Sequence, residues 1–89
     1  MHLSKIGEAG SAERGDILVT VTPAQEAGIQ VELTGKPVIL KQFGRQIKEL
    51  IAETAAKSGV QHALISAKDG GALDCTIKAR VRAAIQRAV

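Results

Sequence analysis

Asp16-Ile17-Leu18-Val19-Thr20-Val21-Thr22 alternates without a break, with Ile17, Val19 and Val21 on one side and Leu18, Thr20 and Thr22 on the other. Side chains in a strand point to opposite faces in turn, and β-branched residues suit that pleated, half-buried surface, so the stretch reads as a strand with one buried face. Pro23 through Gly28 supply turn chemistry, after which Ile29, Val31 and Leu33 alternate with Gln30, Glu32 and Thr34. The two strands therefore read as a hairpin.

The period then changes from two to three or four. Leu40, Phe43, Ile47, Leu50, Ile51 and Ala55 recur on one helical stripe, while Lys41, Arg45, Lys48 and Glu49 fall elsewhere. Pro37 suits the first turn of this helix, Thr34 is a candidate cap, and Ser58-Gly59 ends it. Gly44 inside the helix costs up to about 1 kcal/mol relative to Ala, which suggests close packing against a neighbour. Val60 to Ala67 is a short apolar run read as a third strand, and Asp69-Gly70-Gly71 is a turn. Asp74 is placed to cap a last helix in which Ile77, Val81 and Ile85, with Ala84 and Ala88, face inward. The expected fold class is α+β: a small, mainly antiparallel three-stranded sheet in the order strand, strand, helix, strand, helix, with both helices on one face.

Upstream of the first strand, Met1 to Gly15 is poor in apolar residues and rich in small ones, so residues 1–15 read as a flexible N-terminal leader and residues 16–89 as a single domain. The chain has 89 residues, 45% hydrophobic and 24% charged, which suits one small core. No apolar run reaches the roughly 20 residues needed to cross a bilayer, Cys75 has no internal partner, and no signal-peptide pattern opens the chain. The expectation is a cytoplasmic protein without membrane association.

Net charge is +3, but Lys78, Arg80, Arg82 and Arg87 give the last fifteen residues a local +4, so residues 1–74 carry −1. This basic segment is a candidate contact for phosphates or an acidic partner. A nucleic-acid-binding module would use it too, although a chain whose single aromatic residue is Phe43 has almost nothing on which bases could stack. His2, His62 and Cys75 share no metal-ligand spacing, and no nucleophile motif, Walker pattern or dinucleotide fingerprint occurs. From these residues alone the chain is a soluble α+β binding or docking module.

Two blocks extend that reading. Lys41-Gln42-Phe43-Gly44 on the long helix, and Gly71-Ala72-Leu73-Asp74-Cys75 continuing through Lys78-Ala79-Arg80-Val81, together resemble the acyl-carrier (gamma) subunit of citrate lyase. The similarity runs from about Ala9 to Val89 and includes the leader, where Ala9-Gly10-Ser11-Ala12-Glu13 precedes Gly15-Asp16. The resemblance implies a non-catalytic subunit. In that family a leader serine carries a phosphodiester-linked prosthetic group derived from 2'-(5''-triphosphoribosyl)-3'-dephospho-CoA, whose thiol holds acetyl and citryl thioesters. The implied partners are the alpha (transferase) and beta (lyase) subunits and the prosthetic-group transferase. The family places its modified serine directly after the glutamate, and here that position is Arg14. Arginine has no hydroxyl to esterify. Ser11 is the nearest alternative hydroxyl, with Ser4 further away.

Overall fold

In the computed structural model, which describes residues 2–89, six elements follow one another: β1 (Gly7–Ala9), β2 (Ile17–Pro23), β3 (Gly28–Thr34), α1 (Pro37–Lys57), β4 (His62–Asp69) and α2 (Asp74–Ala88). The sheet has four strands in the order β1-β2-β4-β3. It is mixed, because β1 and β4 run antiparallel to β2 while β3 runs parallel to β4.

The α+β class and the five expected elements are present, but two details of the expected sheet are corrected. First, β2 and β3 form no hairpin; β4 lies between them. A hairpin would leave β4 on an edge, yet Ala63, Ile65 and Ala67 on it are fully or almost fully buried. Pairing on both sides places this strand at the centre, and β3-α1-β4 becomes a parallel pair joined by a helical crossover. Second, the leader adds a strand. Its three residues were too few and too poor in apolar side chains to show a period, and Met1 lies outside the described residues.

One sheet face is apolar, buried over β1, β2 and β4 and half-buried over β3. Gly7, Val21, Ile65 and Val31 line up across the four strands, with Ala9, Val19, Ala67 and Leu33 in the next row. Helix α2 covers this face over β1 and β2, α1 covers it over β3, and the helices pack on each other. Ile17, Val19, Val21, Ile51, Ile65, Ile77, Val81 and Ile85 form the fully buried centre. The other sheet face carries Glu8, Thr20, Gln30, Glu32, Ser66 and Lys68 toward solvent.

The helix ends differ from the sequence reading at the starts. Lys36, not Thr34, is the N-cap of α1, and the Thr34 hydroxyl donates instead to the Ala67 carbonyl at 3.4 Å. Leu73 is the N-cap of α2, and Asp74 occupies the first turn, where a carboxylate still complements the helix dipole. The end of α1 is as expected: Gly59 at φ 89° lets its N–H reach Ala56 O at 3.0 Å and the Val60 N–H reach Ala55 O at 3.2 Å, a Schellman closure. Gly44 is buried, but a Cβ there would meet only the Leu40 Cβ at 3.7 Å, an ordinary contact. Close packing therefore does not require this glycine. Gly44→Ala should raise stability by about 0.5–1 kcal/mol, read as a higher urea midpoint at unchanged slope; a lower midpoint would show that the site is tighter than its geometry.

Candidate functional site

The turn between β1 and β2 is built by glycines and closed by one carboxylate. Gly10, at φ 89°, passes so close to the Ile17 carbonyl that a side chain would overlap it, and Gly15 takes φ 83° on the way back. The base of the turn is bonded to the β4–α2 loop: the Gly15 N–H donates to Gly70 O at 2.7 Å, and the Gly70 N–H donates to Asp16 O at 2.8 Å. A Cβ at Gly70 would run into the Glu13 carbonyl oxygen, so this contact requires glycine there. The loop in turn is stiffened by Asp69, whose Oδ1 accepts the N–H groups of Gly71 and Ala72 at 3.1 and 3.0 Å.

Asp16 is the hub. Its Oδ1 accepts Arg80 Nε at 3.0 Å and the Ile17 N–H at 2.8 Å, while its Oδ2 accepts Arg80 Nη2 at 3.1 Å and the Ser11 hydroxyl at 2.9 Å. The Arg80 hydrogen bond, then the Ile17 N–H and the Ser11 hydroxyl, hold the Asp16 carboxyl below its ordinary pKa of 3.8 despite some desolvation. A paired, planar guanidinium fixes orientation as well as charge.

This geometry redistributes the basic residues of α2. Arg80 clamps Asp16, and Arg87 Nη1 donates to the Glu8 carbonyl at 2.7 Å. Both fasten the N-terminal segment. Lys78 and Arg82 instead sit together beside Leu50, Glu53, Thr54 and Lys57, where α2 meets α1. The four residues therefore do not make one free basic face. Ser4 and Lys5 N–H groups both donate to Ala88 O, at 2.8 and 3.1 Å, and Leu3 joins the core, so the leader is packed against α2. Sequence reasoning could not reach these contacts, which join residues 64 and 79 positions apart.

Of the two candidate attachment residues, Arg14 lies in the middle of the turn, exposed, with no hydrogen bond or ion pair among the described residues. Ser11 is half-buried at the turn's base, its hydroxyl donating to Asp16 and accepting the Glu13 N–H at 3.3 Å. A phosphodiester does not suit these residues: position 14 has no hydroxyl, and esterifying Ser11 would break its bond to Asp16 and set a second negative charge beside that carboxylate.

The Asp16–Arg80 clamp gives a pH-dependent prediction. A carboxyl whose pKa is depressed on folding contributes stability that is present above its unfolded value, about 3.9, and lost as pH falls through the lower folded value. Arg80→Met should therefore be less stable than the parent at pH 7, and the gap should shrink toward about pH 2. Urea midpoints at both pH values measure it, and an equal gap at each would remove Asp16 from the account.

Comparisons with known proteins give the chain its relatives. A family model described as ACP, malonate decarboxylase delta subunit (MdcD), matches residues 4–88. The citrate lyase acyl carrier protein of Streptococcus mutans is 48% identical over 88 residues, covering 99% of this chain and 84% of that protein. Citrate lyase acyl carrier protein 2 of Salmonella typhimurium is 42% identical, covering 99% of this chain and 89% of that protein.

Proposed function

The chain belongs to the family of citrate lyase acyl carrier proteins and the malonate decarboxylase delta subunit, and on that premise we propose that it is the non-catalytic carrier subunit of a citrate-lyase-type complex. The observation that carries the proposal is the turn itself. Residue 14 is held out in solvent, within the exposed stretch 12–15, by a base bonded to the α2 side chain Arg80 and the Gly70 loop, an arrangement that displays the tip of the turn on half-buried supports. A carrier needs this, since its whole contribution is to offer a tethered group to two partner active sites at high effective concentration.

In this chain the presented position is Arg14, so the proposal has a second part: the subunit takes the carrier's place in the complex without the triphosphoribosyl-dephospho-CoA-derived group. The engaged hydroxyl of Ser11 and the backbone-anchored segment around Ser4 support that part. In the family the group supplies the thiol on which acyl groups are exchanged. This chain's residues would supply position and docking to the transferase and lyase subunits.

Coexpression with the two large subunits and the prosthetic-group transferase tests both parts. The expected result is copurification with the large subunits at the unmodified intact mass. A mass gain mapped to Ser11 or Ser4 overturns the second part, and failure to copurify overturns the first. The nucleic-acid alternative is disfavoured because Arg80 and Arg87 are engaged within the fold.

A further inference from the structure

Phe43 and Leu73 were read from the sequence as parts of two blocks that carry the family resemblance, and Phe43 also as a member of the buried stripe of α1. Neither is in the core. Phe43 is 46% exposed and Leu73 is 72% exposed, among the few large apolar side chains left at the surface. The two blocks lie about thirty positions apart in the chain, yet they meet at one place. Ile39, Phe43, Ile47 and Leu50 on α1, with Ala72 and Ile77 across from them, line an open groove of about 560 Å³, and Leu73 stands between the lining residues Ala72 and Asp74.

The charged side chains that line the groove are all acidic, with Lys57, Lys78 and Arg82 lying beyond its Leu50–Glu53 end. Glu49, Glu53 and Asp74 border it, and no Lys or Arg is among its lining residues, although the chain as a whole carries +3. Glu49 and Glu53 do have partners, Arg45 at 3.3 Å and Lys57 at 2.8 Å, both one turn away on α1. Those pairs are exposed on both sides, and exposed pairs of this spacing are weak enough for an incoming cation to replace them. Asp74 has no ion pair among the described residues. An acidic rim around an apolar floor disfavours a phosphate-rich group and suits a cationic, apolar-bearing one.

We infer that this groove docks a segment of a partner subunit that presents an apolar side chain flanked by Lys or Arg. The inference rests on the carrier-subunit reading. It also places the docked partner correctly for that role. The groove wall at Gly71 and Ala72 continues directly from Gly70, whose backbone is bonded to Gly15 and Asp16, so a partner held there sits beside the turn that displays residue 14.

The test uses the full chain and the purified transferase and lyase subunits of its complex as the probes. Phe43→Ser with Leu73→Asp removes exposed apolar surface without touching the core, and should weaken binding to one of the subunits by about tenfold or more. Asp74→Lys should weaken the same interaction several-fold, mainly by slowing association, and should flatten its salt dependence. Glu32→Lys, on the open sheet face, should leave binding as in the parent. Circular dichroism and urea midpoints confirm that each variant is folded. If the parent binds a large subunit and the groove variants bind equally well, the groove inference is overturned while the carrier reading stands. If the parent binds neither subunit, both fall. Should the parent self-associate on sedimentation, and the groove variants abolish that alone, the occupant is a second copy of this chain and the inferred partner is wrong.

Discussion

Arg14→Ser, coexpressed with the prosthetic-group transferase, is expected to convert a chain of unmodified mass into one that gains the full mass of the prosthetic group on a single residue. The argument begins with the turn. Its shape is set by Gly10 and Gly15 at positive φ, by the Gly70 contact and by the Asp16–Arg80 clamp, none of which involves the side chain at position 14. That side chain is exposed, and exposed substitutions away from such features change stability by no more than about 0.5 kcal/mol. The variant should therefore keep the parent's fold and differ only in offering a hydroxyl where the turn already points. Loading is then limited by whether the transferase recognises the turn. Adding Ser11→Ala to Arg14→Ser should leave the site of modification unchanged, because Ser11 supports Asp16 rather than presenting itself. Peptide mapping decides among the outcomes. Modification at the new serine supports the carrier reading; a folded Arg14→Ser chain that stays unmodified beside a loaded relative counts against it. An Arg14 parent that is already loaded removes the claim that this chain is locked in its unmodified form.

What the sequence disclosed follows from where the information lies. The long helix and the last helix were legible because their periodicity is local: Ile77, Val81, Ala84, Ile85 and Ala88 are buried as their spacing requires. The strand at Ile17 to Thr22 was legible for the same reason. Strand order was not. Alternation tells which face of β3 is apolar but not which neighbour it pairs with, and the parallel partner β4 lies beyond a 21-residue helix. Phe43 fell on the helical stripe by count, yet that stripe is wider than the surface α1 buries, so its edge faces solvent. The site was partly legible. Position 14 stood out by resemblance, but Asp16, the residue that organises the turn, looked like the ordinary start of a strand. Its Arg80 partner was grouped by composition with three other cations that do different work.

The packed leader also changes where motion can reside. A free arm would let position 14 sweep a wide volume. With Leu3 buried, β1 in the sheet and the turn clamped, the chain from Leu3 to Asp16 is part of the body, and reach must come from a tethered group or from movement of the whole subunit. Carrier function on this scaffold then depends on placement of the subunit within its complex, which is the role the groove beside the turn would serve.

Gly7 is where that packing is most exposed to test. Its place in β1, opposite Val21, lies directly beneath the last turns of α2, where an added Cβ would overlap the Ala84 carbonyl oxygen and crowd the Ala88 backbone nitrogen. Backbone atoms of a helix cannot give way as a flexible side chain can, so β1 and α2 must separate. Gly7→Val should cost about 3 kcal/mol, and Gly7→Ala most of that, because the first carbon already makes the clash. The contrast with Gly44, where the same change should stabilise, separates close backbone approach from a general effect of enlarging glycine. Separation would also strain the Arg87 bond to Glu8 and the Ser4 and Lys5 bonds to Ala88. Amide exchange should therefore show β1 and its β2 partners losing protection first, while β4 and the middle of α1 keep theirs until global unfolding. A Gly7→Ala chain with parent stability and a protected β1 would mean that the leader does not rest against α2 as described, and that residue 14 is carried on a free arm after all.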